Sequence, residues 1–145
     1  MLSLSASHLR ALRVSSSNKR LVWVDIGGGT GISLPVHSPS MTLNRTIGHN
    51  VERMHKYFPI SSFDAVYVVD LCEPLLQVAR KRFADRGWTN VTVLCQDASQ
   101  FYLPEWSDGR DPKGCVSFVT LSYSLSMVCP FALRFHNRLT IYSDS

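Results

Sequence analysis

Four short runs of almost unbroken apolar residues punctuate the chain, with stretches of mixed polarity between them. Leu21 to Ile26 (LVWVDI) carries a single acid near its end, the pattern of a strand buried on both faces. Ala65 to Asp70 (AVYVVD) repeats it and closes on an acid, and Val91 to Cys95 (VTVLC) and Val116 to Leu121 (VSFVTL) follow. Pro74 to Arg86 predicts a helix, with proline in the first turn, Leu75, Leu76, Ala79 and Phe83 on one face, and Gly87 after its end. A second helix is predicted from Val51 (VERMHKYF), with Asn50 as its N-cap and Pro59 beyond it. Leu2, Leu9 and Leu12 suit a short amphipathic helix at the start. Ile32 to His49 and Phe101 to Gly114 have no period and are rich in turn-forming residues. Strands that alternate with helices predict right-handed crossovers and a parallel sheet with helices on both faces, an α/β, doubly wound fold.

Length and composition narrow this picture only a little. A chain of 145 residues holds one domain, and 45% hydrophobic with 18% charged residues excludes a disordered polymer. The net charge of +4 owes much to Arg80, Lys81, Arg82 and Arg86, spaced as a solvated helix face. No alternation of basic and aromatic residues accompanies it, so the charge does not point to nucleic acid. Cys72, Cys95, Cys115 and Cys129 form no C-x-x-C pair and no zinc-ligand spacing. Cys72 and Cys95 fall in or beside apolar runs and read as reduced packing thiols, which points to an intracellular compartment. No apolar run approaches the ~20 residues that cross a bilayer, so no transmembrane segment is expected.

Candidate chemistry concentrates at three strand ends, where ligands bind in an open parallel sheet. The first is VDIGGGTG, Val24 to Gly31. Its glycines allow a tight turn and close approach to a ligand, and a following helix N-terminus suits an anionic group, a dinucleotide phosphate or an amino-acid carboxylate. Gly27, Gly29 and Gly31 follow G-x-G-x-G, with Ile32 where the last glycine of a dinucleotide fingerprint belongs, and no P-loop lysine is present. The second is Asp70, placed to accept both hydroxyls of a ribose, or else to cap the helix near Pro74. The third is Asp97-Ala98, where an acid can accept from an adenine amino group and a small residue leaves space for the ring.

Together these residues resemble the class I S-adenosylmethionine-dependent methyltransferases. The resemblance implies S-adenosyl-L-methionine as cofactor, held by Asp25, Gly27, Gly28, Gly29, Thr30, Gly31, Asp70, Leu71, Asp97 and Ala98. WVDIGGGTG, NVERM, VYVVDLCEPLLQVARKRF, GWTNVTVLCQDAS, LPEWSDG and VSFVTLSYSLSM further resemble the methyltransferase part of the fungal betaine lipid synthases. That family transfers a 3-amino-3-carboxypropyl group from S-adenosylmethionine to diacylglycerol and then methylates the amine. The matching part is the N-methylating half, which implies a lipid substrate at a membrane surface and a cytoplasmic or internal-membrane location. It also implies a helix before the first strand, so Leu2 to Leu12 reads as a domain helix and not as the transit peptide its basic, Ser-rich composition otherwise suits. Ser122 and Tyr123 lie where such enzymes approach the methyl group. No general base is assigned: His8, His37, His49, His55 and His136 read as surface or packing residues.

Two stretches depart from the family. There the helix follows the glycine loop almost at once, whereas 18 irregular residues, Ile32 to His49, intervene here. Removing them shortens the step from Gly31 to Asp70 from 39 positions to 21, near the ~20 of related nucleotide folds. They read as a non-native insert, of the length that about 54 nucleotides of retained intron encode (18 codons of three). After Met127 the resemblance stops. Residues 1–127 are therefore expected to form a partial domain truncated after the fourth strand, with 128–145 an unassigned tail.

Overall fold

A computed structural model describes residues 2–15, 20–27, 49–98, 101–103, 116–122 and 141–144. Strands β1 (Val22–Ile26), β2 (Ala65–Asp70), β3 (Val91–Cys95) and β4 (Phe118–Ser122) form where the apolar runs lie, the last starting two residues later and ending one later than its run. The lead-in to β4 is held instead by Ser117, whose N–H donates to the Val22 carbonyl at 2.8 Å. The order is β3-β2-β1-β4-β5, and every pairing is parallel. The order reverses between β1 and β4, which makes their carboxyl ends the switch point of the sheet.

The sheet does not stop at the fourth strand. β5 (Ile141–Asp144) pairs with β4 from Val119↔Ile141 to Ser122↔Asp144, inside the stretch expected to be an unassigned tail. Four residues of mixed polarity leave no period in the sequence. It is the unsatisfied N–H and C=O groups along β4 that give them a place.

Three helices pack on one face: α1 (Leu2–Ser15), α2 (His49–His55) and α3 (Glu73–Asp85). Ala6, Leu9, Val51, Met54, Leu76 and Phe83 close over Trp23, whose ring lies 5.3 Å from Phe63 and 5.6 Å from Phe118. On the other face, Val24, Val69 and Leu121 meet Phe101, Leu103 and Val116. α1 belongs to the domain, as the domain-helix reading expects. Arg13 pairs with Asp64 at 2.9 Å, and the same carboxylate oxygen accepts the Leu21 N–H at 2.6 Å, which chiefly holds the acid below the usual carboxylate range. Among the described residues, no helix is long and apolar enough to cross a membrane.

α3 ends as its sequence predicts. Gly87 takes φ +68°, its N–H donates to Ala84, and Trp88 N–H reaches back to Phe83 at 3.0 Å. These are the paired bonds of a left-handed C-terminal cap, which glycine adopts without Cβ strain. Basic residues of α3 line a solvated, ion-paired face: Arg80 binds Glu73 at 2.6 Å, and Arg86 binds Glu52 at 2.8 Å.

Two local expectations are corrected. Asn50 is not an N-cap; it sits inside α2, because a buried acid claims its side chain. Cys95 is exposed and Cys72 half-buried, so the first is no packing thiol. Among the described residues β3 is an edge strand, and an apolar run in sequence does not distinguish an edge from a centre.

Candidate functional site

The carboxyl ends of β1, β2 and β3 bring three acids to one end of the sheet: Asp25 and Asp70 within strands that are otherwise apolar, and Asp97 two residues past the end of β3. Gly27 ends β1 at φ +66°, a left-handed turn that glycine makes freely, while its N–H still bonds to the Val69 carbonyl at 2.9 Å. The chain thus leaves the sheet abruptly beside the end of β2. Gly28, Gly29, Thr30 and Gly31, the rest of the expected loop, lie outside the described residues, as do His37, Tyr123 and His136.

Asp70 is 8% exposed. Its Oδ1 accepts the N–H of Cys72, the residue before α3, at 2.9 Å, so the acid does take part in turning the chain into the helix. Its Oδ2 is buried and accepts no hydrogen bond among the described residues. The ribose and capping alternatives are therefore not exclusive: one oxygen serves the turn and the other is left for a donor. Leu71 beside it is 68% exposed, an apolar side chain at a rim. Asp97 and Ala98 follow β3, whose Cys95 pairs with Asp70, so the second and third acids lie at neighbouring strand ends. Asp97 is exposed and Ala98 half-buried.

Asp25 is fully buried. It lies on the helix-bearing face with Trp23, and its Oδ1 accepts two bonds: Asn50 Nδ2 at 2.9 Å and Thr120 Oγ1 at 2.5 Å. The Thr120 hydroxyl in turn accepts the Trp23 indole N–H at 2.9 Å. Burial pushes the Asp25 carboxyl up to about 6; the bonds from Thr120 and Asn50 oppose this, and the Asp70 charge adds to it. Asp25 Oδ2 has no partner among the described residues. Thr120 and Asn50 were not expected at the site. A threonine on an otherwise apolar strand is the one signal for Thr120, and only pairing across the sheet shows that it faces the acid.

Of the remaining candidates, Ser122 ends β4. His8, His49 and His55 are exposed, and the His55 ring meets Trp88 in a tilted contact with centroids 5.1 Å apart, a packing role.

No family model and no curated protein matches the chain. Solved structures do match. A SAM-dependent methyltransferase from Aquifex aeolicus superposes with a TM-score of 0.53 at 16% identity, over 92% of this chain and 62% of its own. A candidate S-adenosyl-L-methionine-dependent methyltransferase from Methanococcus maripaludis superposes with a TM-score of 0.55 at 12% identity, over 95% of this chain and 54% of its own. The fold is that of the Rossmann-like class I methyltransferases. The chain spans less than two thirds of the length of either relative. The described acids stand at the carboxyl ends of β1, β2 and β3, with Asp25 on the strand beside the switch point.

Proposed function

We propose that the chain is the cofactor-binding part of an S-adenosylmethionine-dependent methyltransferase. The observation that carries this reading is Asp70: a buried carboxylate at the end of β2 with one oxygen unpartnered among the described residues. An acceptor left unmet in a buried site costs free energy unless a ligand meets it. A ribose hydroxyl is a donor of the right kind. The residues present fit the rest of the cofactor in chemistry. Asp97-Ala98 suits the adenine edge, Leu71 offers an apolar surface to its ring, and Gly27 to Gly31 and Asp25 take the methionine part. The bound sulfonium supplies an electrophilic methyl group; the chain's own part is to hold it in line with an amine and to exclude water.

We assign the acceptor as the amine of a betaine lipid head group, on the resemblance to the N-methylating half of the fungal betaine lipid synthases. This substrate brings the chain to a membrane surface.

Calorimetric titration with S-adenosylmethionine tests the cofactor reading. Micromolar binding that Asp70→Ala weakens by roughly tenfold or more, as loss of a charge-assisted bond requires, is the expected result. Folded protein that gives no heat, or an Asp70→Ala variant that binds as well as the parent, overturns it. Tighter binding of NAD than of S-adenosylmethionine would assign the site to a dehydrogenase instead.

A further inference from the structure

Asp97 and Ala98 lie on a segment that is tied down on both sides. β3 closes on Cys95, and Gln96 adds one more bond to its ladder with β2, its N–H donating to the Asp70 carbonyl at 3.1 Å. The Gln96 side chain then reaches forward along the chain. Its Oε1 accepts the Tyr102 N–H at 2.6 Å, across six positions. Tyr102 is itself held from either side: Phe101 and Leu103, 8% and 1% exposed, are buried in the core on the sheet face away from the helices. Ala98 is half-buried and packs against the same cluster. One residue thus joins the end of β2, the end of β3 and the anchored strip beyond, and Asp97-Ala98 sits in the loop so closed.

Closing this loop before a ligand arrives lowers the cost of binding. An acid on a loose loop must be ordered by its ligand, and that entropy is subtracted from the affinity. Only a long side chain with a terminal acceptor spans the gap to Tyr102, and glutamine is such a side chain. The backbone bond to Asp70 survives any substitution at Gln96, so the end of β2 keeps its place when the side chain is changed.

We propose that Gln96 is a positioning residue for the adenine end of the cofactor: its clasp on Tyr102 sets Asp97 against the exocyclic amino group and so maintains a preference for adenine over a purine that lacks this donor. The inference rests on the cofactor reading above. Gln96 acts through Asp97 and needs no contact of its own with the ligand. Discrimination is what a displaced acid loses, because a hydrogen bond weakens steeply with distance and misalignment. The ribose, met from β2 by Asp70, is common to both purines and keeps its contact.

The test is calorimetric titration of the parent, Gln96→Met, Gln96→Asn and Gln96→Glu with S-adenosylmethionine and with its analogue carrying an unsubstituted purine. Gln96→Met keeps the length and removes the acceptor, Gln96→Asn keeps the amide one methylene short, and Gln96→Glu keeps both length and acceptor. The parent should favour S-adenosylmethionine over the purine analogue by tenfold or more, as a charge-assisted bond to Asp97 requires. Gln96→Met and Gln96→Asn should each bind S-adenosylmethionine about three- to tenfold more weakly and the purine analogue almost unchanged, the loss expected for one hydrogen bond. Gln96→Glu should restore the preference. Hydrogen exchange at the Tyr102 amide reads the clasp directly, faster in Gln96→Met and Gln96→Asn and slow again in Gln96→Glu. Equal weakening of both ligands is the mark of a merely structural residue and overturns the inference. So does unchanged affinity while Tyr102 exchange quickens, or failure of Gln96→Glu to restore the preference. A parent that binds both purines alike overturns it too and leaves the cofactor reading standing. A folded parent that binds neither removes both.

Discussion

At Asp25, burial and hydrogen bonding act in opposite directions, and burial wins, with the carboxyl pushed up to about 6 from an ordinary 3.8. An acid whose folded value is raised binds its proton more tightly in the native state. The resulting stability is full below the unfolded value near 4 and is lost as pH rises through 6. At 1.36 kcal/mol per unit, the loss is on the order of 3 kcal/mol at neutral pH. Asp25→Asn, neutral at every pH, should therefore gain roughly 1–3 kcal/mol over the parent at pH 7.5 and little at pH 4. Urea unfolding at the two pH values measures it, and equal differences at both would contradict the burial argument. The same substitution should weaken cofactor binding, a trade of stability for function. Asp64 has the opposite sign. Its value is lowered by the Leu21 N–H first and Arg13 after it, so its contribution is present above the unfolded value and fades as pH falls through the folded one.

α3 shows how much of one element local rules can determine. Proline in the first turn, three buried apolar residues on one face and Gly87 at the left-handed position all agree with its sequence. No atom lies within 4 Å of a Cβ built on Gly87, so Gly87→Ala pays only for backbone strain, roughly 1–2 kcal/mol, with Gly87→Asn milder. Phe83→Ala should cost more, about 3–5 kcal/mol, because the side chain is 2% exposed and leaves a cavity over the sheet. Thermal unfolding ranks the three. α2 is the contrasting case. At seven residues it has little stability of its own, and it is held by Val51 and Met54 in the core and by the Asn50–Asp25 bond. Its pattern in sequence located it, but not the one contact that matters most for the site.

For the whole molecule, β5 pairs the outer edge of β4, whose N–H and C=O groups are otherwise a template for another chain. Deleting 141–145 should lower soluble yield and produce concentration-dependent light scattering, while leaving the spectrum of the central strands native. The stretch 32–49 poses the other question at this scale. On the insert proposal, its deletion restores the short step from the glycine loop to Asn50 and tightens cofactor binding without unfolding the sheet. The structure places His49, the last residue of that stretch, in the first position of α2, so deleting 32–49 shortens the helix by one residue and puts the new junction at its start. Weaker binding after deletion, or a transcript that carries this stretch at full abundance, would argue that it is native to the site.

Strand positions, the α3 helix and the acids at the ends of β1 and β2 were legible from the amino-acid sequence alone. Each depends on neighbours a few residues away: a buried strand reads as an apolar run, a helix as a period, and a terminal acid as an interruption. Parallel order, the fifth strand and the partners of Asp25 belong to the tertiary structure. Trp23, Asp25, Asn50 and Thr120 are spread over 97 positions between Trp23 and Thr120, and no local preference ties them together. Only when β4 pairs with β1 and α2 settles on the helix face do a threonine and an asparagine become donors to one oxygen. Edge and centre are decided in the same way: Cys95 is exposed on a strand that has one neighbour among the described residues, a property of the assembled sheet and not of the run VTVLC.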